Sequence, residues 1–478
     1  MEVREVDVAI IGAGTAGMSA YRRVREYTES VIIIESSHYG TTCARVGCMP
    51  SKLLIAAAEV THQAQHAAMF GVDVDAVTVD GERVMQRVKS ERDRFVGFVE
   101  ETVEQWPDAD KVWGEARFVG SNELQVGDAL RIKAQRIVIA AGSRPNIPAP
   151  WYELGDRLLI NDDVFEWDDL PNSVAVVGTG VIGLELSQAL SRLGVRTHLF
   201  GVGNSIGPVS DPLVNAQALA LFGDEMTLSS DAAVEAVART ADGVEVSYTE
   251  KGDKRTAQFD YLIAATGRRS NIDRLDLEAA GIAVNKQGLP TFDDSTGQIE
   301  DSAVFIAGDV SNAHPLLHEA ADDGRIAGDN AGTYPQIHAR PRRAPISVVF
   351  TDPQIALVGA RYAELEHSDT AFAVGQVDFA GQGRSRVIGK NKGLLRVYGE
   401  HGTGLFLGAE MIGPAAEHLA HLLSWSVQHK LSVQQMLDSP FYHPVIEEGL
   451  RTALRHLNSE LKMGPLPVNG CLDCGPGA

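Results

Sequence analysis

The sequence predicts an α/β protein built from two doubly wound units, the second inserted in the first, followed by a separate α+β domain. Three observations carry this. A glycine-rich turn between an apolar strand and a helix occurs at residue 12 and again at residue 178, Gly/Pro-rich crossings stand on both sides of the second turn, and the residue pattern changes near Ala344.

The chain opens "EVDVAIIGAGTAGMSAYRRV", a buried-strand run followed by Gly12, Gly14 and Gly17 at the start of a helical segment. This is GxGxxG in the setting that a dinucleotide requires. Gly12 permits the tight turn, Gly14 lets backbone approach a pyrophosphate, and Gly17 lets helix and strand pack closely. A second apolar strand, "SVIIIE", ends in Glu35, where an acid accepts from ribose hydroxyls. The pattern returns in "SVAVVGTGVIGLELSQALSRLGVRTHLF", with Gly178, Gly180 and Gly183, so both units read as Rossmann-like dinucleotide-binding domains. In the second, "THLFGVGN" offers Phe200, Gly201 and Val202 where an acid would select NAD, and no arginine cluster for a 2′-phosphate. The absence of cationic partners favours NAD, with NADP not excluded.

The crossings are "IVIAAGSRPNIPAP" and "YLIAATGRRSN", and beyond the second lies "SAVFIAGDV" with Asp309 just past a strand. From about Ala344, strand-like runs ("PISVVF", "KGLLRVYG", "GLFLGAEMIG") precede the helical "AEHLAHLLSWSVQHK". The expected boundaries are 1–150 and 272–343 for the first unit, 151–271 for the second and 344–462 for the last domain. The final segment, 463–478, is rich in Gly and Pro, carries Cys471 and Cys474, and is expected to be a mobile tail.

Composition excludes several classes. A formal charge of −22, from 64 acidic against 42 basic residues without a basic tract, argues against nucleic acid and anionic membranes as partners. Four cysteines in two close pairs cannot build a secreted disulfide framework. No cationic stretch precedes a leader-like apolar core, and no segment nears the ~18 apolar residues of a membrane span, so a cytoplasmic location is expected.

The stretch "GTTCARVGCMPSK" sets Cys43 and Cys48 five positions apart, just before a helical run. Five residues of regular helix rise about 7.5 Å, more than the roughly 7 Å that a disulfide spans between Cα atoms. A bond here requires irregular winding, which Gly47 permits, and Pro50 suits a first helical turn. So short a ring gains little loop entropy, and strain eases reduction, which favours redox work over stapling. Arg45 and the helix N-terminus should favour thiolate. A metal clasp lacks further ligands at zinc spacing, and His418 and His421, though at helical ligand spacing, read as ordinary helix residues, so no metal site is expected.

This stretch resembles the active-site motif of the flavin-dependent pyridine nucleotide-disulfide oxidoreductases, the family of dihydrolipoyl dehydrogenase, glutathione reductase and mercuric reductase. Its companions stand in the family's order: "GAGTAG", "AAGSRP", "GTGVIGLELS", "AATGRRSN", "FIAGDV" and "FYHPVIEEGL". The resemblance implies FAD in the first unit, with Glu35 on the adenosine ribose and Asp309 on the ribityl-phosphate arm, and Gly114, Gly142 and Gly267 as further cofactor contacts. It implies a nicotinamide nucleotide in the second unit and homodimerisation through the C-terminal domain. Cys48 would face the flavin and Cys43 would exchange with the substrate. Lys52 and Glu185 match the ion pair near the reactive flavin nitrogen, and His443 with Glu448 matches the base dyad. Histidine titrates near neutral pH, as a base acting on thiols must.

Departures stand beside these matches. Thr41 replaces a glycine of the motif and Arg45 an asparagine, and the terminal "CLDC" is unusual for a dihydrolipoyl dehydrogenase. Val181 resembles the dihydrolipoyl version rather than the glutathione one, which has tyrosine there. The implied activity is two-electron exchange between NAD(P)(H) and a dithiol/disulfide, with lipoamide, free or protein-bound, as leading substrate. One alternative is reduction of another disulfide with Cys471/Cys474 as relay. A redox-sensing flavoprotein is the non-enzyme alternative, and it would have no use for His443 and Glu448.

Overall fold

The computed structural model describes residues 2–462, so the expectations for Cys471, Cys474 and the tail lie outside the described residues. The chain divides into two compact units, one formed by Met1–Leu53, Gln86–Asn146 and Gly267–Arg342, the other by Leu54–Met85, Ile147–Thr266 and the chain from Arg343.

The first unit is organised by a seven-stranded sheet. Strand Glu2–Ile11 lies parallel to both Val31–Glu35 and Leu130–Ile139. Lys111–Trp113 extends one side, and the antiparallel pair Ala116–Gly120 and Glu123–Val126 extends the other. Strand Val304–Ile306 then pairs with Leu130–Ile139. The sheet thus closes across some 160 intervening residues, which is the insertion that the order of motifs predicts. Side chains alternate between two cores. Val8, Ile10, Ile33, Val138 and Phe305 fill one face, while Ala9, Ile11, Ile34, Ile139 and Ile306 fill the other. Burial on both faces explains why these strands read as unbroken apolar runs. Helix Thr15–Val24 packs on helix Leu317–Thr333 so closely that a Cβ on Gly324 would come within 2.2 Å of the Ala16 carbonyl oxygen.

In the second unit a parallel sheet runs in the order Thr227–Ser229, Arg196–Phe200, Ser173–Val177, Tyr261–Ala264, Leu158–Leu159. A three-stranded antiparallel sheet, Ala232–Arg239, Val244–Glu250 and Asp253–Phe259, accompanies it. The C-terminal part is a five-stranded antiparallel sheet in the order Ile346–Val349, Gln354–Gly359, Phe406–Gly413, Leu394–Glu400, Phe372–Asp378. Helices Ala416–Gln428 and Glu447–Leu461 share its core through Leu419, Leu423, Leu450 and Leu454. Buried polar groups tie the C-terminal sheet to the loop and helix that follow strand Arg196–Phe200. Glu410, fully buried, accepts from the backbone N–H groups of Ser210 (2.7 Å), Asp211 (2.9 Å) and Tyr362 (2.9 Å). Asp211 caps helix Pro212–Glu225 and accepts from Arg396 Nε (2.6 Å) and Tyr398 Oη (3.0 Å). No described helix is long and apolar enough to cross a membrane.

Candidate active site

The first glycine turn is drawn tight by its neighbours. Gly12 N donates to the Ile34 carbonyl at 2.8 Å, and its φ of +100° is open to glycine. A Cβ on Gly17 would come within 1.8 Å of the Gly12 oxygen, whereas one on Gly14 would meet nothing within 4 Å. The turn is therefore compressed against its own helix and open at Gly14, the side on which a pyrophosphate must approach. Helix Thr15–Val24 has no side-chain cap, so its first-turn N–H groups are left for an anion. Glu35 ends its strand with Oε2 accepting from Ala13 N (2.8 Å) and Oε1 from Ser36 N (2.8 Å) and Ser37 N (2.9 Å). Gly114 N donates to the Glu35 carbonyl at 2.9 Å. A cleft of about 530 Å³ lies at these strand ends, lined by Ser37, His38, Tyr39, Lys111 and Trp113 among others. An open turn, an uncapped helix and a fixed acid fit the diphosphate and adenosine half of a dinucleotide such as FAD.

Asp309 follows strand Val304–Ile306, and its Oδ2 accepts from Ser143 Oγ at 3.0 Å. Arg268 holds that serine, donating from Nε to Ser143 Oγ (2.9 Å) and from Nη2 to its carbonyl (2.7 Å). Both partners come from the crossings, whose strands Ser143–Pro145 and Arg268–Ser270 pair antiparallel. Gly142 and Gly267, each at positive φ, turn the chain into that pair. Ser143 and Arg268 are functional candidates that the sequence reading passed over. They lay inside quoted motifs whose glycines alone had been given roles.

Cys43 sits in the short helix Thr42–Val46, and Cys48 opens the long helix Cys48–Gln65. Gly47 divides them at φ −124°, ψ −113°, which is the irregular winding that the spacing requires. The two cysteines are not joined in a disulfide; Cys43 is half-buried and Cys48 exposed. The Cys43 thiol hydrogen-bonds the Cys48 side chain; this bond, with burial and the Cys48 charge, raises its pKa, outweighing the Cys48 backbone N–H and Lys52. Cys43 is thus held as a thiol facing Cys48. The expected help from Arg45 is absent, because its guanidinium is engaged by Glu100 Oε1 at 2.7 Å. Lys52 lies one turn into the same helix, its Nζ 3.4 Å from Ser51 Oγ.

Glu185 is buried in helix Val181–Arg192, where Oε1 accepts from Phe350 N at 2.9 Å. That helix follows the second glycine turn, in which Gly178 N donates to the Phe200 carbonyl at 2.8 Å and a Cβ on Gly183 would come within 1.8 Å of the Gly178 oxygen. Gly180, like Gly14, has nothing within 4 Å of such a Cβ and caps its helix without a side-chain bond. His443 and Glu448 meet. The imidazole Nδ1 lies 2.8 Å from the buried Glu448 Oε1, Oε2 accepts from Val445 N at 3.1 Å, and the ring is 74% exposed. The cysteine pair, Lys52, Glu35 and Asp309 belong to the first unit, whereas Glu185 and the His443–Glu448 pair belong to the second. His421 Nδ1 is turned onto the Glu417 carbonyl at 2.7 Å, and among the described residues no group of three or more His, Cys, Asp or Glu could hold a metal ion.

Residues 6–324 match the pyridine nucleotide-disulphide oxidoreductase family and residues 346–454 its dimerisation domain. The chain is 29% identical over 450 residues to the dihydrolipoyl dehydrogenase of Geobacillus stearothermophilus, covering 93% of this chain and 94% of that one. It is 29% identical over 461 residues to the enzyme of the same name from Halobacterium salinarum, covering 94% and 96%. Among solved structures, LpdA from Mycobacterium tuberculosis superposes with a TM-score of 0.80 at 23% identity, covering 95% of this chain and all of that one. The HOCl-induced flavoprotein disulfide reductase RclA from Escherichia coli, as its Cu(II) complex, gives 0.79 at 23% identity, covering 94% and 99%. With two dinucleotide turns, a vicinal thiol pair and a dimerisation domain in one chain, this protein belongs to the pyridine nucleotide-disulphide oxidoreductase family, whose members are flavin enzymes that use FAD and a nicotinamide nucleotide.

Proposed function

We propose that this enzyme oxidises dihydrolipoamide, free or protein-bound, with NAD+, working as a cytoplasmic homodimer. The observation that carries the reading is the pair of thiols brought side by side by the break at Gly47. The relatives named dihydrolipoyl dehydrogenase and the valine at position 181 support lipoamide over a bulkier disulfide.

In the oxidised enzyme Cys43 and Cys48 share a disulfide. His443, its ring oriented by Glu448, takes a proton from one substrate thiol, and the resulting thiolate attacks the Cys43 sulfur. The Cys43–Cys48 bond breaks and Cys48 leaves as thiolate, stabilised at the N-terminus of the helix that it opens. The second substrate sulfur then attacks the first, closing lipoamide and releasing Cys43, which recovers a proton. FAD, when bound, would supply the two-electron carrier between the dithiol and NAD+. The balance is dihydrolipoamide plus NAD+ giving lipoamide, NADH and a proton. Glu35, Ser143, Asp309 and the Gly12–Gly17 turn would hold FAD, and Lys52 with Glu185 would set the charge near its reactive nitrogen.

The test is a steady-state comparison of dihydrolipoamide oxidation with reduction of lipoamide, glutathione disulfide, thioredoxin and Hg(II), using both nucleotides. Turnover of the lipoamide couple well above the others is the expected result. Absence of that turnover, with activity on a different disulfide, overturns the assignment.

A further inference from the structure

The two nucleotide turns share one hydrogen-bond frame, which allows their positions to be equated. Gly12 N donates to the Ile34 carbonyl and Gly178 N to the Phe200 carbonyl, each at 2.8 Å. The residue after Ile34 is Glu35, and the residue after Phe200 is Gly201. The second turn therefore lacks the acid at its strand end by position as well as by composition. A side chain there is also sterically excluded. A Cβ on Gly201 would lie 2.4 Å from Thr179 Cγ2 and 2.8 Å from Thr179 Oγ1. Thr179, the counterpart of Ala13 in the first turn, thus occupies the space that the acid would need.

The loop after Gly201 is instead bound to the neighbouring turn at 229–232. Gly201 N donates to the Ser229 carbonyl (2.8 Å), Asn204 N to the Ser230 carbonyl (3.1 Å) and Ala232 N to the Gly201 carbonyl (2.8 Å). Between these bonds Gly203 N donates to Asp231 Oδ1 at 2.8 Å. An exposed carboxylate is thereby fixed against Gly203, the third residue after the strand's end at Phe200. Neither 201–211 nor 227–232 contains lysine or arginine. Arg361, which reaches the loop's other end, donates to the Pro208 carbonyl. Arg192 is paired with Glu225 and Asp352, and Arg196 donates to the Gln258 carbonyl. His198, on the same strand, is pushed down to about 4 by burial and is neutral at physiological pH.

We propose that Asp231 is the residue that selects NADH over NADPH: from the adjacent turn, its carboxylate accepts from the 2′-hydroxyl of the nicotinamide nucleotide's adenosine ribose and repels a 2′-phosphate. The inference rests on the nicotinamide-nucleotide reading of this unit. Acid recognition of the ribose is kept, but its source moves from the strand end to a neighbouring turn, because Thr179 closes the usual place.

The test uses the holoenzyme without disulfide substrate. NAD+ and NADP+ are titrated calorimetrically, and flavin reduction by NADH and NADPH is followed by stopped flow. Wild type should bind NAD+ at least roughly 10-fold more tightly than NADP+, the factor that a charge-assisted hydrogen bond supplies. Asp231→Asn keeps an acceptor for Gly203 N, so the loop should hold. The variant should lose that discrimination by roughly 10-fold, with the limiting rate of flavin reduction by NADH unchanged. A discrimination ratio unaltered by the substitution, or a wild type that prefers NADP+, overturns the proposal while leaving the enzyme's activity class standing. If neither nucleotide reduces the flavin, the nucleotide reading itself fails and the proposal falls with it.

Discussion

Glu448 spends both oxygens on orientation, one on His443 Nδ1 and the other on Val445 N, which leaves the imidazole Nε2 as the working nitrogen of an exposed ring. A carboxylate so placed fixes the tautomer and the orientation of the imidazole. His443→Gln should therefore lower kcat for dihydrolipoamide by roughly 10²–10⁴-fold, the usual contribution of a positioned base. Glu448→Gln should cost less, because an amide oxygen can still accept from the imidazole Nδ1 and orient the ring. Flavin reduction by NADH needs no proton from the dithiol, so it should be unaffected in both variants, and its loss would mark a folding defect. The cysteines divide their labour in the same way. Cys43 is kept protonated toward Cys48, so two-electron reduction should give a long-wavelength band from a Cys48 thiolate against the flavin. Cys48→Ser should abolish the band and Cys43→Ser preserve it. A band that survives both substitutions would reverse or remove the assigned roles.

Glycine spacing made the two nucleotide turns legible as elements, because the last glycine of each answers to a close approach that no other residue tolerates: Gly17 against the Gly12 oxygen, Gly183 against the Gly178 oxygen. The parallel strands were legible for a similar reason, since burial on both faces forbids polar interruptions. Strands Gln354–Gly359 and Phe372–Asp378, and the antiparallel sheet of 232–259, were not read from sequence. Ala232–Arg239, for instance, leaves most of its residues exposed or half-buried and offers little apolar contrast. Long-range polar ties were equally silent, because nothing local marks Glu410 as the acceptor for Ser210, Asp211 and Tyr362. Replacing Glu410 by Ala leaves three backbone donors, that of Asp211 buried, without their acceptor, at a cost of about 3–5 kcal/mol, to be read as a lowered denaturant midpoint. Helix Val181–Arg192 is tethered likewise, Gln188 and Arg192 both bonding residue 352. Burial works to raise the Asp352 pKa, but Lys390 and Arg192 together outweigh it, and the folded carboxyl titrates below its ordinary value. Its stabilisation is present above an unfolded pKa of about 3.9 and is lost as pH falls through the lower folded value. Melting temperatures of wild type and Asp352→Asn should accordingly differ at pH 6 and converge toward pH 3.

For the whole molecule, the order of the motifs already gave the insertion, and pairing of Val304–Ile306 with Leu130–Ile139 shows it in the sheet. The working assembly is another matter, because no local pattern says which chain's histidine serves which chain's cysteines. Deleting 464–478 should leave lipoamide turnover unchanged, since His443 and Glu448 both precede that segment; a loss would give Cys471 and Cys474 a part in the reaction. The dimer itself offers a sharper test. The dyad sits in the stretch that matches the dimerisation domain, while the cysteines sit in the stretch that matches the oxidoreductase domain. We expect the His443 of one subunit to serve the cysteine pair of the other. Cys48→Ser and His443→Gln proteins would each be nearly inactive alone. Exchanging subunits at equal amounts makes about half the dimers mixed, and in each mixed dimer one site joins an intact cysteine pair to an intact histidine. Activity should then recover to roughly a quarter of the wild-type value, in step with the exchange. Were each site confined to a single chain, every site in the mixture would lack either Cys48 or His443. Activity would then stay at the parental level however long exchange proceeded.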